Sequence, residues 1–281
     1  MGRLIRSQLY VILHSKGALL LLAVSLALCW VFLNDGGDAE RDVPQLEKRI
    51  AEHAERGFDY LAMVKYQADL EQVEDLEELV GILRQRQVMA APYFTVNAML
   101  VLLFLLPGAV LTPGLGRSRG MGRELQTYGR TKPLLSRILA SWVFCLLLST
   151  GLYFLALRIW TDPGAAVPGQ LLRYWVIVQF YVLSLLCYSY FMHTLFRRAA
   201  VAAPVMILAE AVLHELIPGL RLFYPISLLP YYNQQAYLNT ANLLGADCPT
   251  GTLLTFCGVC LVYIVICPIL AAALFRRREV R

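Results

Sequence analysis

Charge is scarce in this sequence. Aspartate, glutamate, lysine and arginine make up 16% of its 281 residues, where soluble domains carry about a quarter. Nucleotide-binding machinery is missing as well. No G-x-x-x-x-G-K-[ST] stretch occurs, and "GLGRSRGMGR" has neither the lysine nor a preceding strand. The chain is expected to hold no cofactor of its own, and if the protein uses ATP, another chain binds it. Histidines number only four, and no Ser/His/Asp or Cys/His arrangement is apparent. "HEL" at His214 opens like H-E-x-x-H, but position 218 is Pro, so the zinc motif fails. No internal repeat or low-complexity tract appears.

What the chain has in quantity is apolar length. It is 58% hydrophobic, with a mean hydropathy of +0.57. Apolar runs of about 18 or more residues read as membrane-crossing helices. Six stretches qualify: 17–33, 91–111, 138–157, 171–195, 199–217 and 252–275. The expected fold is an all-α polytopic membrane protein of six transmembrane helices in one domain over 1–281. The first run reads as a span rather than a cleaved signal peptide. Residues 1–16 precede it, no small-residue cleavage motif follows, and "WVFLND" ends it with an interfacial aromatic. "MGRLIRS" misses a myristoylation signal because Ser7 stands one position too late.

The charges that remain are unevenly placed. With the N-terminus inside, the inner segments hold Arg3, Arg6 and Lys16, then Arg117, Arg119, Arg123, Arg130, Lys132 and Arg137. Arg197 and Arg198 follow, then Arg276, Arg277, Arg278 and Arg281. These are fifteen of the 25 basic residues, against only Glu124 and Glu279. Such a bias predicts both termini in the cytoplasm. The net charge of +5 then reflects topology and gives no reason to expect nucleic acid.

Residues 1–16 predict a short interfacial helix. On a 3.6-residue wheel Arg3, Arg6, Ser7, Tyr10 and His14 share one arc, while Leu4, Ile5, Leu9, Val11 and Ile12 fill most of the other side. A cationic arc of this kind faces anionic lipid headgroups. The alternative is that the first span simply begins early. Residues 35–90 are acidic and predict a helical insertion between spans one and two, on the outer surface. Leu46 and Ile50 mark one helix face there, and Val73, Leu76, Val80 and Leu83 mark a second. The charge run by itself reads as a solvated face.

The outer segment 218–251, between spans five and six, carries Pro218, Pro225, Pro230 and Pro249 with many Tyr and Leu, a composition suited to the membrane interface. Of seven cysteines, Cys29, Cys145, Cys187, Cys257, Cys260 and Cys267 fall in the apolar runs. "CGVC" places Cys257 and Cys260 one turn apart, but in apolar sequence cysteine behaves as a small hydrophobe. Cys248 lies outside the spans near the head of the sixth, with Cys257 as a distant candidate for pairing.

Ionisable residues inside spans are costly and mark functional sites. Glu210 and His214 lie four apart in the fifth run and share a face. His214 and Glu215 lie within about one turn of the outer end, so Glu210 is the deep acid, a substrate or proton site unless it is a hydrated structural group. In the fourth run Tyr174, Tyr181 and Tyr188 recur every seven residues, with Ser184 and Phe191 on nearly the same face. This stripe would suit a pathway for an amphipathic substrate, although such stripes more often pack against a neighbouring helix. Pro204 and its flanking alanines point to close helix contact and a kink.

Between the second and third runs stands the polar island "RSRGMGRELQTYGRTKPLLSR", residues 117–137. It combines a glycine-bearing turn, a short amphipathic helix around 123–128, a break at Gly129, and Pro133 near the start of the next helix. Gly120-Met121, Leu125, Thr127, Gly129-Arg130 and Arg137 fall in the order seen between the second and third spans of the permease subunits of type-2 ATP-binding-cassette exporters, which this stretch resembles. The acidic residue that precedes Gly-Met in many members is absent here, with Arg117 and Arg119 in that region and Glu124 after it. The 35–90 insertion is larger than in minimal members.

The resemblance implies a permease working as a homodimer or heterodimer, each half docked on a separate ATPase subunit through residues 113–137 and the N-terminal helix. Arg123, Glu124, Tyr128, Gly129 and Arg130 would form the coupling contact, beside Arg3, Arg6 and Tyr10. It implies the bacterial cytoplasmic membrane, ATP and Mg on the ATPase, and an amphipathic or peptide-like substrate passing Glu210, His214 and the Tyr174/Tyr181/Tyr188 face. Two other classes fit the same residues. One is a sensor or assembly protein binding a partner through 35–90; the other is an intramembrane enzyme built on Glu210 and His214.

Overall fold

The computed structural model describes residues 2–35, 43–68, 70–89, 91–111, 131–160, 169–196, 201–206, 208 and 250–277. Nine helices carry labels here: α1 Gly2–Leu13, α2 Lys16–Asp35, α3 Val43–Ala54, α4 Tyr60–Ala68, α5 Leu76–Met89, α6 Ala91–Leu111, α7 Thr131–Trp160, α8 Gly169–Phe196 and α9 Thr250–Arg277. A short helical stretch over 201–206 lies between the last two. No strand occurs among the described residues. This follows from the medium that the apolar lengths imply: in hydrocarbon a helix satisfies its own backbone, and an open sheet edge does not.

Three helices are long and apolar enough to cross a membrane: Thr131–Arg158, Trp175–Phe196 and Cys257–Phe275. Gly2–Leu13 and Lys16–Val31 meet at 68° and make a fourth if counted as one bent span. Ala98–Leu111 is apolar but shorter. The six runs expected from sequence thus correspond to three or four crossing helices among the described residues. Most of the fifth run, 199–217, lies outside them.

Side-chain pairs fix how the helices run. Gly17 at the head of α2 sits by Ala109 near the end of α6, where a Cβ on Gly17 would stand 3.7 Å from the Ala109 Cβ. Those two helices are therefore antiparallel. Ser141 meets Tyr190 and Thr150 meets Trp175, so α7 and α8 are antiparallel as well. On the other side of α8, Ser184 meets Cys260 and Tyr188 meets Tyr263. Here the numbers rise together, so α8 and α9 run parallel.

The bundle core is drawn from α1, α2, α6, α7, α8, α9 and the 201–206 stretch. The segment between α2 and α6 builds a second, small core around Leu46, Leu79 and Val80. Ile50, Leu76 and Leu83 pack on it, as their spacing predicted, and so does Val73, which lies ahead of α5 rather than on it as expected. Sequence periodicity suggested two helices there, and the structure has three. α4 was hidden because its apolar residues show no clean period, yet Tyr60 and Leu61 reach the small core.

The turn before α4 is specified locally. Gly57 adopts φ of 73°, a left-handed conformation that costs a residue with a Cβ about 1–2 kcal/mol. Its N–H donates to Ala54 O at 2.9 Å and that of Phe58 to His53 O at 3.0 Å, which closes the end of α3 in a Schellman arrangement. Asp59 then caps α4, accepting from the Ala62 N–H at 3.0 Å. Asp75 accepts from the Glu77 N–H at 3.0 Å at the head of α5.

Candidate functional site

Two features of the bundle bear on function: a short cationic helix packed on α7, and a polar seam between α7 and α8. The helix is α1. Leu4, Gln8 and Ile12 are buried on one side, and Arg3, Arg6 and Tyr10 are exposed on the other, Tyr10 at 63%. His14 stacks on Tyr10 with ring centroids 3.9 Å apart, and its Nδ1 donates to Tyr10 O at 2.9 Å. The arc read from the sequence is thus the exposed face. The opposite face belongs to the bundle core, and α1 packs mainly on α7 rather than on α2, to which it is joined.

Continuous from Thr131, α7 takes Pro133 in its first turn, where the missing N–H costs nothing. Arg137, counted above with the cytoplasmic charges, is buried at 6% exposure. Its carbonyl accepts from Tyr190 Oη at 3.3 Å, and that hydroxyl also lies 2.6 Å from Ser141 Oγ. Further along, Ser149 Oγ donates to Gln179 Oε1 at 3.0 Å and Trp175 Nε1 donates to Thr150 Oγ1 at 3.0 Å. Three hydrogen-bonded rungs therefore span the α7–α8 seam. Ser141, Cys145 and Ser149, four apart and all buried, keep the α7 side small enough for close approach.

The seam continues toward α6. Pro107 interrupts that helix and removes the N–H that would bond four residues back. One residue beyond that orphaned position, Phe104 O accepts from Ser189 Oγ at 3.2 Å. His193 Nδ1 donates to Ser189 O at 2.9 Å; since a carbonyl only accepts, this nitrogen carries the proton. The buried Nε2 atoms of His193 and Gln179 have no hydrogen-bond partner among the described residues.

Of the expected pathway stripe, Tyr181 is fully buried and Tyr188 nearly so, at 7%. Tyr174 lies on the same helix. Tyr188 meets Tyr263 of α9 edge to face, with centroids 5.9 Å apart and planes at 82°. In this arrangement the two rings serve helix packing. Arg123, Glu124, Tyr128, Gly129, Arg130, Glu210 and His214 lie outside the described residues, as does Cys248. Cys29, Cys145, Cys187, Cys260 and Cys267 are buried free thiols, and Cys257 is half-buried.

Sequence reading missed the seam. Ser141, Ser149, Gln179, Tyr190 and His193 look unremarkable one by one. The available signal was the four-residue spacing of small residues at 141, 145 and 149, opposite polar residues in the next run. No protein-family model matches this chain, and no curated protein matches it.

Proposed function

We propose that this chain is the membrane-spanning subunit of a type-2 ATP-binding-cassette exporter, working as a dimer in the bacterial cytoplasmic membrane. Both termini lie in the cytoplasm, and separate ATPase subunits hold ATP and Mg. The observation that carries the reading is the packing of cationic α1 on α7, the helix into which the polar island runs. Closure of the ATPases would press on the island and on α1 together, and α7 would pass that displacement to α8 through its hydrogen-bonded rungs. A two-state membrane dimer then shifts its population. The residues proposed to touch the ATPase are Arg123, Glu124, Tyr128, Gly129 and Arg130.

Six crossings belong to the same proposal. Parallel α8 and α9 put Phe196 and Thr250 toward opposite ends of the bundle, which supports a further crossing between them. The apolar run 199–217 is long enough to make it. An amphipathic or peptide-like substrate, with Glu210, His214 and the tyrosine face beside its path, completes the reading.

The test is purification of the tagged chain from its native membrane in mild detergent, with mass spectrometry of what accompanies it. A stoichiometric P-loop ATPase, lost in Arg123→Glu and Tyr128→Ala variants, is the expected result. A chain that emerges alone overturns the proposal. A second reading has its own observation: α3, α4 and α5 form a core apart from the bundle, as a partner-binding sensor or assembly protein would need. In that case the partner is held by residues 35–90, and nucleotide has no effect on its binding.

A further inference from the structure

The helix directions gather basic residues at one end of the bundle. Gly17 sits by Ala109, so the α1–α2 junction and the end of α6 lie together. Phe104 O meets Ser189 Oγ and Arg137 O meets Tyr190 Oη, which adds the start of α7 and the end of α8. α9 runs parallel to α8, so its last turn, with Arg276 and Arg277, belongs to the same end. Arg3, Arg6, Lys16 and Lys132 complete the group, all four exposed.

The helices themselves do not balance this charge. α1, α2 and α6 to α9 contain a single acid, Asp35, at the far end of α2. The segments 112–130, 197–200 and 278–281, which leave from the basic end, bring eight more arginines against Glu124 and Glu279. The acids of 207–249 are Glu210, Glu215 and Asp247, too few to change the sign. The acidic 35–90 segment joins the opposite ends of α2 and α6. The counter-anion for this end therefore comes from outside the chain.

α1 shows what that anion is. Its axis turns 68° from that of α2, so it lies across the end of the bundle, where the apolar helices stop. Leu4 and Ile12 are buried against the bundle, so the apolar side is spent on protein rather than among acyl chains. Arg3, Arg6 and Lys16 are exposed together with Tyr10, on which His14 stacks. Tyrosine beside cations suits the headgroup layer, and an anionic leaflet supplies phosphate at that depth.

We infer that α1 binds the headgroup phosphates of anionic phospholipid through Arg3, Arg6 and Lys16, and that this contact holds α1 on α7 against the repulsion of the neighbouring cations. A helix wheel suggests anchoring by the apolar side as well. In the folded chain charge is the hold on lipid, so the contact is sensitive to salt. The inference does not depend on the exporter reading.

The experiment places the full-length protein in phosphatidylcholine vesicles with or without phosphatidylglycerol and follows amide hydrogen exchange by mass spectrometry. Protection over 2–13 should be about tenfold higher with phosphatidylglycerol, while residues 141–152 of α7 exchange equally in both. The gain should vanish at about 1 M salt, where the screening length falls to about 3 Å, and in an Arg3→Gln/Arg6→Gln double variant. Comparing the two lipid compositions in the unaltered chain keeps the test valid should that variant fail to fold. Equal protection in both compositions, or a gain that survives salt or the double variant, overturns the proposal. So does the same gain from soluble glycerophosphoglycerol added to phosphatidylcholine vesicles, which would make the site one for free phosphate esters. Protection that needs a co-purifying ATPase and ignores phosphatidylglycerol also overturns it, and would make this face a protein interface.

Discussion

α8 has two principal neighbours among the later helices and meets them by different chemistry. Toward α7 it presents Trp175, Gln179 and Tyr190, each hydrogen-bonded across the seam. Toward α9 it presents Tyr188 and Phe191 to a groove, with an edge-to-face ring contact and a Ser184–Cys260 hydrogen bond as the specific pairs. Rungs of fixed donors and acceptors hold two helices in one register. Ring and aliphatic contacts tolerate sliding, and in hydrocarbon no hydrophobic force presses the helices together. The two seams thus differ in chemistry: hydrogen-bonded rungs fix the register of α7 on α8, whereas α8 and α9, the most extensively packed pair among the described residues, meet mainly through rings and aliphatic side chains.

The largest test of that contrast is Tyr190→Ala. It removes a fully buried ring together with the rung to Ser141, and unfolding in a denaturing detergent should show a loss of about 3–5 kcal/mol, as for large aromatic truncations in cores. A loss near zero would mean the seam is not an anchor. Tyr188→Ala should cost less, about 2 kcal/mol, because its ring borders a groove that surrounding groups can fill. If the two substitutions cost the same, the proposed asymmetry is gone. The smallest effect is the rung itself: a double-mutant cycle on Ser149→Ala and Gln179→Leu should give a coupling of about 0.6 kcal/mol, the average for side-chain hydrogen bonds between membrane helices.

What was legible in the sequence varies by region. α1's exposed arc was readable residue by residue, since it has an apolar and a polar side and the 3.6-residue wheel separates them. The small core of α3 and α5 was readable for the same reason. The Schellman turn at Gly57 and the Asp59 cap stand openly in "HAERGFDY", though α4 behind them was overlooked. Inside the bundle the method fails. α6 and α9 are apolar nearly all round and the polar residues of α8 do not gather on one face, so periodicity names no face, and the tyrosine stripe alone did not say which neighbour each ring would meet.

By itself, then, the sequence determined that this chain is helical and membrane-suited, because bilayer thickness sets the length of an apolar run and hydrocarbon forbids an unsatisfied backbone. It also determined which face of α1 stays exposed. Only the tertiary structure decided that α1 packs on α7, that Tyr190 reaches Ser141 rather than a cavity, and that α8 and α9 run parallel beside an open groove. Those choices depend on which small residue lies opposite which large one, and that opposition exists only once two helices have been brought together.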